Sequence, residues 1–95
     1  MSSYLAQLDE RQLARQIKHL LDDDLIPAIE YIREPDPRDH YWVMWKLPLF
    51  DATVVADVQS EVDACAAAHP DCYVKLLGYD RQRQTRAVSL VVHQP

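Results

Sequence analysis

The sequence predicts an α+β fold in which a four-stranded antiparallel sheet carries two helices on one face. Two segments repeat apolar residues at the spacing of an amphipathic helix, and four others have the composition of strands. Their order is α-β-β-α-β-β, and the short connection inside each β-β pair favours an antiparallel hairpin. Two such helices can cover one face of the sheet. A chain of 95 residues has the length of one domain, which we assign to residues 1–95.

The first helix is predicted over residues 10–23. Asp9 and Gln12 have the spacing of a capping box at its start. Apolar residues then recur at helical spacing: Leu13, Ile17, Leu20 and Leu21. Asp24 follows two further aspartates at the C-terminal end, where the helix dipole favours cations. If Asp24 occupies a left-handed cap position, glycine would suit that position better.

Two strands follow, over residues 25–32 and 40–47, with a turn at 34–39 that contains two prolines and two aspartates. Pro48 ends the second strand. The second helix is capped by Asp51 or Thr53 and stops after His69, before Pro70. Its predicted apolar face consists of Val54, Val55, Val58, Val62, Cys65 and Ala66.

The last two strands are predicted over residues 72–79 and 84–93. Gly78, the only glycine, is placed where the third strand enters its hairpin loop. The fourth strand has no strongly polar face. A strand without a polar face is typical of a sheet that is buried on both faces. Two helices can cover only one of these faces.

The aromatic segment from Tyr41 to Phe50 contains both tryptophans and the only phenylalanine. Strand alternation would place Trp42, Met44 and Lys46 on one face, opposite Trp45. We predict that Trp45 lies in the core. Trp42 is assigned to the partner-facing side, because the amino group of Lys46 needs water or an interface. A second apolar face needs a cover, and the simplest cover is another protein.

Composition excludes several classes of function. A net charge of -5 argues against nucleic acid, which needs a basic surface. Arg81, Arg83 and Arg86 form the one basic cluster, which we interpret as a solvated hairpin tip rather than an anion site. No segment has the length of a membrane span or the pattern of a signal peptide, so we expect an intracellular protein. Two cysteines, Cys65 and Cys72, fit a reducing compartment.

No motif supports a catalytic, cofactor or metal site in this chain. One glycine cannot form a phosphate-binding loop, and neither a nucleophile elbow nor a zinc-protease motif is present. Cys65, His69 and Cys72 have a spacing that zinc could use, but Cys65 lies on the apolar face of the second helix. Glu30 lies in an apolar strand and should be paired if it is buried. Its partner could belong to this chain or to an interface.

Six segments of the chain share a resemblance to one family. They are Ser3–Leu5 (SYL), Ile26–Tyr31 (IPAIEY), Tyr41–Phe50 (YWVMWKLPLF), Glu61–Cys65 (EVDAC), Cys72–Asp80 with its CYV and GYD, and Val91–Pro95 (VVHQP). In this order they resemble the small subunit of form I ribulose-1,5-bisphosphate carboxylase/oxygenase (Rubisco), bacterial type. The aromatic segment is the most specific of them.

The resemblance implies a non-catalytic subunit that caps an octamer of large subunits and modulates their CO2-fixing activity. It implies a complex of eight large and eight small chains, with magnesium and a carbamylated lysine on the large subunit and no cofactor in this chain. It implies a cytoplasmic location, with the carboxysome as an alternative, and matches Glu30 to a position associated with assembly. The partner interface is predicted to include nine residues: Tyr4, Leu5, Glu30, Tyr41, Trp42, Met44, Lys46, Pro48 and Phe50.

Two alternatives remain at this point. The chain could be a small-subunit-like binding module that recruits Rubisco into a condensate or carboxysome, although such modules usually repeat within a longer scaffold. It could also be a small independent enzyme, which the lack of a catalytic motif disfavours.

Overall fold

The computed structural model describes residues 9–33, 41–83 and 85–95. The elements in chain order are α1 (Glu10–Asp22), β1 (Leu25–Ile32), β2 (Val43–Met44), α2 (Val55–Ala68), β3 (Tyr73–Asp80) and β4 (Thr85–His93). The four strands form one antiparallel sheet in the order β2-β1-β3-β4. The predicted α+β fold class is confirmed. The turn predicted at 34–39 lies outside the described residues.

Helix α1 begins with the predicted capping box. The Asp9 carboxylate accepts a hydrogen bond from the backbone N–H of Gln12 at 2.8 Å, and the Gln12 side chain accepts one from the Asp9 N–H at 3.0 Å. These two bonds satisfy backbone donors that a helix start leaves without partners. Just beyond the C-terminal end, Asp24 has φ of 57°, in the left-handed region. The predicted left-handed position is confirmed.

The core lies between the two helices and one face of the sheet. Both helices and three strands contribute its buried members: Leu13, Ile17, Leu20, Ile29, Val58, Val62, Cys65, Val74, Leu76 and Val92. Ile29 and Leu76 occupy paired positions in β1 and β3, so their side chains share the helix-covered face. The helices therefore pack on one side of the sheet, as the sequence predicts.

The predicted strand over residues 40–47 is wrong in extent, because β2 contains only Val43 and Met44. Lys46 has φ of 58°, which breaks the extended backbone and ends the strand alternation. The following segment still runs beside β1: the N–H of Trp45 donates to the carbonyl of Ile29 at 2.7 Å. Strand alternation is therefore no guide to the side chains that follow Trp45.

Helix α2 begins later than predicted. Its N-cap is Val54, which has extended backbone and makes no side-chain capping bond, so the prediction of Asp51 or Thr53 as the cap is wrong. Val54 is 51% exposed and does not belong to the apolar face either. The C-terminal end is as predicted: His69 is the C-cap, its N–H donating to the carbonyl of Cys65 at 2.9 Å.

Gly78 lies inside β3, not at the hairpin loop where the sequence analysis placed it. It is paired with Pro27 and lies at a register shift between β3 and β4. A Cβ atom at this position would lie 3.0 Å from the side chain of Leu20. Glycine is needed here because α1 approaches the strand closely.

Candidate partner-binding site

The face of the sheet opposite α1 and α2, called the open face below, has β1 and β3 at its centre. The register pairs Ile26 with Tyr79, Ala28 with Leu77 and Glu30 with Lys75 on this face. Ala28 and Leu77 are fully buried, so the expectation that this face needs a cover from another protein is wrong at its centre. Among the described residues, the exposed large apolar side chains lie instead in the segment that contains β2 and leads to α2: Tyr41, Val43, Met44, Leu47, Phe50 and Val54.

A buried ion pair lies on the open face beside β2. Glu30 is only 8% exposed, and its Oε1 lies 3.6 Å from Nζ of Lys75. The same Nζ lies 4.1 Å from the centroid of the Trp42 ring, which is within cation–π range. Carboxylate, ammonium and indole therefore form one contiguous cluster, called the Glu30–Lys75–Trp42 cluster below. The in-chain partner that the sequence analysis allowed for Glu30 is present.

An apolar groove of about 440 Å³ lies at the other end of this face. Strands β1 and β3, the β3–β4 turn and the segment after β2 line it: Ile26, Met44, Pro48, Phe50, Tyr79, Asp80 and Arg81. Met44 is paired with Glu30 in the sheet register, so the groove is continuous with the Glu30–Lys75–Trp42 cluster. Three residues of the predicted interface, Met44, Pro48 and Phe50, come together in this groove.

Trp45 and Lys46 lie on the helix side of the sheet. The indole N–H of Trp45 donates to Oε1 of Glu61 in α2 at 3.0 Å, and Nζ of Lys46 lies 3.1 Å from the same oxygen. The hydrogen bond from Trp45, followed by that from Lys46, lowers the pKa of Glu61. Trp45 packs against the core, as predicted. The expectation that Lys46 shares the face of Trp42 is wrong, because its positive φ turns the chain toward α2.

The remaining predicted interface residues are dispersed. Tyr41 is 85% exposed, next to the cluster in sequence. Tyr4 and Leu5 lie outside the described residues. The structure therefore brings Glu30, Trp42 and Met44 together, and joins Pro48 and Phe50 to them through the groove.

The cysteines and His69 have structural surroundings. The His69 ring stacks on Tyr31 at 4.0 Å between centroids and meets the Trp45 ring edge-on at 5.8 Å. Burial, and then the nearby Cys72, raises the pKa of the Cys65 thiol to about 11. Within residues 9–33, 41–83 and 85–95, no three histidine, cysteine or acidic side chains are grouped so that they could hold a metal ion.

The basic hairpin has contacts of its own. Arg81 and Arg83 are exposed in the β3–β4 turn, as expected of a solvated tip. Oδ1 of Asp80 accepts hydrogen bonds from the backbone N–H groups of Gln82 and Arg83 at 2.9 and 3.2 Å. Arg81 lies 3.8 Å from the carboxylate of Asp24 and donates to the carbonyl of Phe50 at 3.4 Å.

Sequence analysis missed three contributors to the open face: Lys75, Ile26 and Tyr79. Lys75 had a usable signal, since a lysine between Val74 and Leu76 in a strand needs a partner as Glu30 does. Ile26 and Tyr79 gave no such signal in the sequence, because they come together only through the β1–β3 register. Among the described residues, no helix has the length and apolar character needed to cross a lipid bilayer.

The site is suited to protein contact: a small α+β domain presents a neutralised charge pair, an indole ring and exposed apolar side chains on one face. Comparison with known proteins agrees. The family described as "Ribulose bisphosphate carboxylase, small chain" matches residues 1–95. The chain belongs to this family and is a subunit of ribulose bisphosphate carboxylase.

Individual relatives cover nearly all of the chain. It is 41% identical to the ribulose bisphosphate carboxylase small subunit of Synechocystis sp. over 98% of this chain and 82% of the relative. It is 43% identical to that of Prochlorothrix hollandica over 98% of this chain and 85% of the relative. A chain in the solved structure of Rubisco from Galdieria partita superposes with a TM-score of 0.90 at 33% identity, covering 100% of this chain and 72% of that one.

Proposed function

We propose that this chain is a non-catalytic small subunit that caps and stabilises an octamer of large subunits through the open face of its sheet. Eight copies would bind eight large chains, four at each end of the octamer. The magnesium ion and the carbamylated lysine belong to the large subunit. The complex is proposed to reside in the cytoplasm or in a carboxysome.

The observation that carries this proposal is the combination of a buried, paired charge with exposed apolar side chains on one face. A chain of this size buries a limited share of its surface, so additional burial against a partner stabilises it. Met44 and Phe50 are both exposed, which leaves their apolar surface for a partner to cover. The Glu30–Lys75 pair is already neutralised, so covering it does not bury an uncompensated charge.

The proposed effect on activity is indirect. The small subunit would hold neighbouring large subunits in the arrangement that their active sites require. Stabilising one arrangement of a partner over another shifts the partner's population toward that arrangement. Carboxylation should therefore depend on how many small subunits are bound.

Co-expression with a large subunit from a bacterial relative tests the proposal. Native mass spectrometry should find a complex of eight large and eight small chains. Stripping the small subunits should lower carboxylase activity, and adding the purified chain back should restore it. A chain that stays free in the presence of the large subunit, or that binds in another ratio, contradicts the proposal.

A further inference from the structure

We propose that the groove lined by Ile26, Met44, Pro48, Phe50 and Tyr79 is the anchor point of the open face, and that it takes uncharged apolar side chains of a large-subunit segment. This inference rests on the proposed function and deepens it by naming which part of the surface binds and what chemistry it accepts. Protein interfaces concentrate their binding energy in a few residues that fill such depressions.

The groove has a largely apolar lining. Its apolar members come from β1, β2, β3 and the segment that follows β2, so the sheet and the chain after it form opposite walls. The second wall is held in place by backbone bonds, since the N–H of Leu49 donates to the carbonyl of Pro27 at 2.8 Å. A depression with fixed walls can accept a side chain with little loss of conformational entropy.

The charged residues at the rim of the groove indicate an uncharged occupant. Asp80 accepts two backbone hydrogen bonds from the β3–β4 turn. Arg81 contacts the Asp24 carboxylate and the Phe50 carbonyl. At the opposite end, Lys75 faces Glu30. A charged side chain entering the groove would lose its hydration against the apolar lining, while Asp80 and Lys75 already have partners of their own.

The exposed apolar residues divide between the groove and the helix side of the sheet. Met44 and Phe50 line the groove, whereas Val54, with nearly the same exposure as Phe50, does not. Val54 precedes α2 and Lys46 contacts Glu61 in that helix, so both belong to the helix side. The anchor is therefore one part of the exposed apolar segment and not the whole of it.

Phe50 and Val54 provide a matched pair for the test. They are 55% and 51% exposed and lie four positions apart, and only Phe50 lines the groove. Phe50→Asp and Val54→Asp add the same charge at nearly the same degree of exposure. Phe50→Ala removes the ring without adding charge and guards against a folding defect. Each variant is titrated against stripped large-subunit octamer, with occupancy read by native mass spectrometry and folding by circular dichroism.

The expected result is a loss of apparent affinity of about tenfold for Phe50→Ala and more for Phe50→Asp, with Val54→Asp binding like the parent. Equal affinities for the parent, Phe50→Ala and Val54→Asp would contradict the assignment of the groove as the anchor point. They would leave the proposed function in place. Equal losses in Phe50→Asp and Val54→Asp would also contradict that assignment. So would an effect of Phe50→Ala confined to self-association of the chain, because the occupant would then be a second copy. Failure of the parent chain to bind contradicts the proposed function itself.

Discussion

Lys75 joins Glu30 to Trp42: its Nζ lies 3.6 Å from the carboxylate of Glu30 and 4.1 Å from the indole centroid. Both charged side chains are nearly buried, so neither can rely on water for solvation. Removing one member leaves the other uncompensated, which is far costlier than replacing both.

The first prediction follows from that pair. Lys75→Met should destabilise the chain by about 3 kcal/mol, because Glu30 would remain buried without its cation. The double variant with Glu30→Met and Lys75→Met should recover most of that loss. Urea unfolding followed by circular dichroism measures both. A double variant as unstable as Lys75→Met would contradict the account of the pair.

The second prediction concerns the left-handed residue after α1. Asp24→Gly should stabilise the chain by roughly 0.5–1 kcal/mol, since glycine adopts positive φ without steric cost. The substitution also removes the ion pair between Asp24 and Arg81, but this pair is 3.8 Å long and exposed, and therefore contributes little. Asp23→Gly is the control, because Asp23 has φ of -84° and gains nothing from glycine. Equal melting-temperature shifts in the two variants would refute the role of φ.

The third prediction concerns the start of α2. Val54 has the extended backbone of an N-cap and no capping side chain. Val54→Asp should stabilise the chain by about 1 kcal/mol. A carboxylate at this position can accept a hydrogen bond from a backbone N–H, and the positive end of the helix dipole stabilises its charge. Thr53→Asp, one position earlier, should give less. Chemical denaturation gives the free energy of unfolding of both variants. An equal gain in Val54→Asp and Thr53→Asp would contradict a role of the cap position.

The fourth prediction concerns alkaline pH. Burial raises the pKa of Cys65 to about 11 from an ordinary value of 9.0, so the folded state disfavours the thiolate. The unfolded chain loses this proton first, and stability should fall as the pH rises from about 9 to about 11. Cys65→Ala should flatten that decline, and Cys72, whose pKa burial also raises, should preserve part of it. Urea midpoints at pH 8 and pH 10 measure the difference. Parallel declines in the parent and Cys65→Ala would contradict it.

The fold could be predicted wherever local pattern decides structure. The Asp9–Gln12 capping box, the helix stop before Pro70 and the extent of β1 all follow from neighbouring residues. The aromatic strand was predicted too long at its C-terminal end because Lys46 adopts positive φ, which no strand propensity signals. Gly78 was misplaced because its role is close packing against Leu20, a contact between elements distant in sequence.

The candidate site could also be predicted only where neighbouring residues determine it. An isolated acid in an apolar strand marked Glu30 as paired, but the identity of Lys75 depends on the β1–β3 register. Trp42 was assigned to the partner side through Lys46, and that reason was wrong because Lys46 lies on the other side. The structure nonetheless places the Trp42 ring over Lys75 on the open face. The groove could not be predicted, since its walls meet only in the folded chain.

The two tryptophans separate folding from assembly and give the fifth prediction. Trp45→Ala should destabilise the chain by about 3 kcal/mol, because the ring packs on the core and its N–H donates a hydrogen bond to Glu61. Trp42→Ala should leave the circular dichroism spectrum unchanged, since the ring lies on the open face. The second variant should instead weaken binding to the large subunit by about 2 kcal/mol.

The most direct test of the central claim, that the open face binds the large subunit, is the native mass of complexes co-expressed with Trp42→Ala. We expect a folded variant whose complexes carry fewer small subunits than the parent, with carboxylation reduced in proportion. Complexes fully loaded with Trp42→Ala chains and fully active would contradict the claim.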